Sequence, residues 1–81
     1  MKVKYIGPDI GIDGLVDGGI YDVLGVDELT GYLYVIDESG EDYLYHPQKP
    51  QSIAGEYKGG VFEIMEDDEQ GTLYTTINSK Y

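Results

Sequence analysis

Five short runs of apolar and β-branched residues, bounded by turn-forming residues, have the pattern expected of strands. Lys2–Ile6 alternates charged and apolar residues and predicts a first strand. Ile20–Val26 is rich in β-branched residues and predicts a second. Residues 32–37 predict a third strand, residues 42–46 a fourth and Val61–Glu66 a fifth. The composition Thr-Leu-Tyr-Thr-Thr-Ile over Thr72–Ile77 favours extended backbone and predicts a sixth. Residues 7–19 hold five glycines, one proline and three aspartates, and read as a long ordered loop. Its Ile10, Ile12, Leu15 and Val16 are expected to fold back onto the body. Pro47 and Pro50 stop regular pairing, and residues 48–60 form a second long loop with one helical turn near 52–56. No internal repeat is visible.

The order strand, long loop, three-strand meander, loop, strand predicts an all-β fold. Its expected form is a small SH3-like five-stranded barrel, with the extra C-terminal strand, built as one domain over residues 1–81. First and last strands pair to help close the sheet. An OB-type barrel would need a helix between strands three and four, where Ser39-Gly40 leaves no room.

Read as a two-residue hairpin turn, Ser39-Gly40 sets Asp37 opposite Asp42, Ile36 opposite Tyr43, Val35 opposite Leu44 and Tyr34 opposite Tyr45. Across the loop 27–31, Val26 then opposes Tyr32, Leu24 opposes Tyr34 and Val23 opposes Val35. Two apolar faces follow. One carries Tyr21, Val23, Leu33, Val35 and Leu44. The other carries Ile20, Leu24, Val26, Tyr32, Tyr34, Ile36, Tyr43 and Tyr45. A small barrel has one interior, so the tyrosine face is surplus. Tyrosine suits a contact surface because it joins an apolar body to a polar tip. Tyr32, Tyr34, Tyr43 and Tyr45 are therefore the expected partner-binding residues.

Charge changes the picture of what that face would meet. Sixteen carboxylates face five lysines and no arginine, for a net charge of -11. Between Tyr5 and Gln48 lie ten acids and no Lys or Arg. Nucleic-acid binding needs cations against phosphates, so a direct nucleic-acid partner is excluded. A basic protein surface, or a weak homodimer through the tyrosine face, is the expected partner. Asp37, Glu38, Glu41 and Asp42 gather at the hairpin tip as an acidic patch, with solvation as their first role. An acidic decoy occupying the nucleic-acid site of a basic enzyme is the alternative, and steep salt dependence would mark it.

Chemistry beyond contact is thin. Asp9, Asp13 and Asp17 with Gly14 approach a calcium loop, but Gly11 and Ile20 occupy two ligand positions and no helix flanks it. Turn formation explains these residues better, and no metal or cofactor is expected. Glu66–Glu69 reads as a turn. His46 is the single histidine, with no identifiable nucleophile beside it, so no catalysis is expected. An enzyme would need a concave pocket around His46. Pro47-Gln-Lys-Pro50 matches P-x-x-P, but two prolines ending a strand read first as a terminator. There is no cysteine, no leader-like apolar segment and no run long enough to span a bilayer, so a cytoplasmic, membrane-free protein is expected.

Gly19-Ile-Tyr-Asp-Val-Leu-Gly25 and Tyr34-Val-Ile-Asp-Glu-Ser-Gly-Glu-Asp-Tyr-Leu-Tyr45 together resemble small acidic SH3-like barrel proteins of Gram-positive bacteria and their phages. The resemblance covers roughly residues 2–66 and centres on the Asp-Glu-Ser-Gly-Glu-Asp-Tyr-Leu-Tyr block. It implies the barrel fold. It implies no activity and assigns no site residue, because that group has no assigned function. The functional expectation is thus a non-catalytic protein-interaction module.

Overall fold

Strand β1 (Lys2–Ile6) sits between β2 (Ile20–Val26) and β5 (Val61–Glu66) in the computed structural model, which describes residues 1–11, 13–51 and 56–78. With β3 (Leu33–Ile36) and β4 (Asp42–Tyr45) they form one five-stranded antiparallel sheet, ordered β4-β3-β2-β1-β5. The fold is therefore all-β. The first and last strands pair, as expected. The sheet is nevertheless not closed, and β4 and β5 are its edges.

β2 serves both halves of the sheet. Its residues Ile20 to Asp22 pair with β1, and Val23 to Val26 pair with β3. The register shifts between Val23 and Gly25. Val23 thus faces Val35 as expected, but Gly25, not Leu24, faces Tyr34. A bulge of this kind bends a strand and sharpens its twist.

The β3–β4 register differs from the expected one by one residue. Leu33 faces Tyr45, Tyr34 faces Leu44, Val35 faces Tyr43 and Ile36 faces Asp42. The turn is longer than Ser39-Gly40. Asp37 N–H donates to the Glu41 carbonyl (3.3 Å) and Gly40 N–H to the Asp37 carbonyl (3.0 Å), enclosing three residues. Gly40 sits at φ 80°, the left-handed position this turn requires and glycine fills without strain. A one-residue slip exchanges the faces of a strand. Tyr45 consequently points into the core, 2% exposed, and Leu44 points outward.

The core joins Val3 and Tyr5 of β1, Tyr21 and Val23 of β2, Leu33 and Val35 of β3, Tyr45 of β4 and Phe62 of β5. Leu15 enters it from the long loop, which folds back as predicted: Ile10 N–H bonds the Leu15 carbonyl (2.7 Å), and Ile10 and Val16 pack against the core. Tyr5 meets Phe62 edge-on at 6.2 Å, and its hydroxyl donates to the Pro8 carbonyl (2.5 Å). Gly60 lies against that ring so closely that a Cβ would collide with it. Ile12 and the helical turn expected near 52–56 fall on positions outside the described residues, apart from Glu56.

The predicted sixth strand is instead helix α1 (Thr72–Ile77), packed against β5 with Leu73 fully buried. The acidic turn before it overrides local β-propensity. Asp67 accepts the N–H groups of Leu73 (2.8 Å) and Tyr74 (2.9 Å), and Asp68 accepts the Thr72 N–H (2.8 Å) and hydroxyl. First-turn N–H groups have no intrahelical partner, and two carboxylates supply one. Two of the four acids that read as a turn, Asp67 and Asp68, therefore start a helix. No described helix is long and apolar enough to cross a membrane.

Candidate functional site

The inner and outer faces of the β3–β4 hairpin divide its tyrosines. On the inner side, the Tyr45 hydroxyl donates to Asp37 Oδ2 (2.7 Å). Asp37 is itself buried, and its Oδ1 accepts the Ser39 N–H (2.9 Å) and hydroxyl (2.5 Å). Tyr21 donates to Glu38 Oε2 (2.7 Å) and accepts the Val16 N–H (2.8 Å). Burial first, then the Glu38 bond, pushes the Tyr21 phenol up to about 12, and burial with the Asp37 bond raises Tyr45 further. Tyr45 and Asp37 are thus internal structure. Tyr45 leaves the expected partner-binding set, and Asp37 leaves the solvated patch, because the three-residue turn rotates both inward.

Glu38, Glu41 and Asp42 remain exposed at the tip. Glu41 accepts the Tyr43 hydroxyl (3.0 Å), and Tyr43 is 48% exposed at the sheet edge. The Glu41 bond raises the Tyr43 phenol.

On the outer side, Tyr34 and its cross-strand neighbour Leu44 lie beside Ile36, all half-buried. Leu24, on the bulge of β2, adds an exposed side chain (61%). The Tyr34 hydroxyl donates to Asp27 Oδ1 (2.9 Å), so the ring is held at its far end. Asp27 also accepts the Thr30 hydroxyl (2.8 Å) and N–H (2.9 Å). The hydroxyls of Thr30 and Tyr34, then the Thr30 N–H, hold the Asp27 carboxyl below its ordinary value. One step further along the ladder, Tyr32 meets His46 edge-on at 5.2 Å. The outer face is therefore an apolar strip running Ile36, Leu44, Tyr34, Tyr32 and His46.

The strip ends in a cleft of about 410 Å³, lined by residues 28–31, His46, Pro47, Gln48 and Thr76. Three distant segments build it. The Gln48 amide donates to the Thr76 carbonyl (3.1 Å) and ties α1 to its wall. His46 N–H bonds the Gln51 carbonyl (3.1 Å), and His46 Nδ1 accepts the N–H groups of Gln48 (3.1 Å) and Lys49 (3.0 Å). Pro47 and Pro50 are buried in this turn, so the P-x-x-P segment is folded away. Leu29 stands at the rim, 95% exposed. No pattern within a single stretch of sequence marks this cleft, because its walls come from two loops and helix α1.

A concave site beside His46, the feature a catalytic reading requires, is thus present. The chemistry on it is narrow. With Nδ1 engaged as an acceptor, the neutral ring carries its proton on Nε2. Burial, then the Lys49 charge, holds the imidazole below its ordinary pKa. Thr30 donates its hydroxyl to Asp27, away from the ring. Among the described residues, no group of three or more His, Asp or Glu side chains is placed to hold a metal ion. In the calcium-like loop, Asp17 accepts the Gly7 N–H (3.0 Å) and Asp9 accepts the Asp17 N–H (3.0 Å), so both serve the turn.

Comparison of the chain with protein-family models, with curated proteins and with solved structures finds no match.

Proposed function

We propose that the chain is a non-catalytic protein-interaction module of SH3-like architecture. In this reading the outer β3–β4 face binds a basic, partly apolar segment of a partner protein. The observation that carries it is the outer apolar strip of exposed Leu24 and half-buried Tyr34, Ile36 and Leu44, leading into the cleft beside His46. A contiguous, partly exposed apolar strip of this kind is characteristic of interaction sites. The strand order β4-β3-β2-β1-β5, with β2 bent between two antiparallel groups, supports the SH3-like part.

Charge selects the partner. Exposed Glu28, Glu41 and Asp42 lie on the strands and loops around the strip, while Asp22 is paired with Lys2 (3.6 Å), and no cation occurs between Tyr5 and Gln48. A second copy would bring another net charge of -11 against the first, whereas a lysine-rich segment would be drawn in. A basic partner is therefore favoured over a homodimer. The carboxylates of Asp27, Asp37, Asp67 and Asp68 are engaged within the chain, which argues against a nucleic-acid decoy presenting its acids outward.

An acetylated, amidated Lys-Val-Lys-Val-Lys-Val peptide tests this. Its addition to the labelled protein should shift the NMR signals of Leu24, Tyr34, Ile36 and Leu44. Affinity should fall several-fold between about 50 and 300 mM salt, as exposed charges are screened, and be lost in Leu24→Ser with Tyr34→Ser. Shifts confined to other surfaces, or binding indifferent to those substitutions, would overturn it.

A further inference from the structure

The bonds of the β3–β4 hairpin fix which way each backbone group of β4 points. Glu41 turns its carbonyl to β3, since it accepts from Asp37 N–H. His46 turns its N–H away from β3, to Gln51. Backbone groups alternate in direction along an antiparallel strand. Tyr43 and Tyr45 therefore face β3, and Asp42 and Leu44 face outward. β4 is a terminal strand. Asp42 and Leu44 thus present two N–H donors and two carbonyl acceptors along an open edge, and no hydrogen bond from another described segment meets them.

Edges are ordinarily blunted by lysine, proline or a bulge. β4, with the sequence Asp-Tyr-Leu-Tyr and an uninterrupted register, has none of these. Its guards are shortness and acidity. Exposed Glu41 and Asp42 repel a second acidic edge and attract a lysine-bearing one. The edge also adjoins the outer strip. A strand added here would set alternate side chains beside Leu44, while those between would lie near the exposed Tyr43 ring.

We infer that the partner segment binds in extended form, as an added strand paired to the Asp42–Leu44 edge of β4, with its apolar side chains beside Leu44 and its lysines on the opposite face, beside Glu41 and Tyr43. This rests on the reading of the outer face as the binding surface, and adds the mode of contact.

Two measurements with the same Lys-Val peptide test it on the intact chain. Peptide addition should slow amide exchange at Asp42 and Leu44 by about tenfold or more, because free edge amides become bonded. N-methylation of alternate peptide residues should abolish binding in one phase and spare it in the other, since only every second amide faces β4. Signal shifts on the strip without slowed exchange, or equal tolerance of both methylated phases, would overturn strand addition and leave the outer-face reading standing. Absence of any binding would overturn both.

Discussion

Two acidic turns look alike along the chain and behave differently in the fold. In the β3–β4 turn, Asp37 is buried and gathers the Tyr45 hydroxyl and the Ser39 N–H and hydroxyl. In the turn before α1, Asp67 and Asp68 stay at the surface and gather the backbone N–H groups that start a helix. One turn anchors side chains from the core, and the other replaces missing helix bonds. The comparison teaches that acid runs in this chain serve first as acceptors for nearby donors. Glu38 and Glu41 also accept tyrosine hydroxyls, while keeping their carboxylates at the surface beside Asp42.

The difference should be easiest to break at Asp37. Asp37→Ala leaves the buried Tyr45 hydroxyl without its acceptor, a loss of about 3 kcal/mol for a charge-assisted buried bond. A urea midpoint unchanged from wild type would show that the hairpin turn is as dispensable as a surface loop. Asp67→Ala should act locally instead. Amide protection at Leu73 and Tyr74 should fall several-fold, with a smaller change in the global midpoint. Equal loss of protection across the sheet would mean that α1 and the sheet unfold together.

The two turns should also fail at opposite ends of the pH scale. Tyr21 and Tyr45 have raised phenol values in the folded state, against about 10 when unfolded. Their contribution is complete below about pH 10 and is lost as pH rises through about 12 for Tyr21. Asp67 and Asp68 lie on the other side. Burial pushes Asp67 up, but the N–H groups of Leu73, Tyr74 and Asp68 outweigh it; the Thr72 hydroxyl and N–H lower Asp68. Their contribution is complete above about pH 4 and is lost as pH falls through their lowered values. Helix protection should thus weaken in acid before the tyrosine absorbance reports any change at the hairpin. Simultaneous loss would remove the distinction. The smallest effect concerns the charges left over: melting temperature should rise modestly between low and moderate salt, because the net charge of -11 is self-repelling. A flat trend would mean that it is already compensated.

Much of the sheet is legible in the residues. β1, β2 and β5 fall where alternation and β-branched composition place them, because one face of each must be buried. The β3–β4 register is not, since it depends on one extra turn residue whose only mark is Gly40. Helix α1 is hidden because its local composition favours strand and its cause lies in Asp67 and Asp68, outside its span. Of the candidate site, Tyr34 lies on the outer face as expected, with Tyr32 beside it in contact with His46. Tyr45 is internal because of the register, and the cleft brings together residues 28–31, 46–48 and 76, a juxtaposition no local pattern records.

The length of one turn thus decides the chemistry of two surfaces. Deleting a single tip residue would flip β4 like a coin: Leu44 would become interior filling, and Tyr45 would turn to the solvent with its phenol unanchored. Identical strand sequences would then display a different exterior. In a protein this small, loop length is as much a determinant of what the outside world meets as the identity of any side chain.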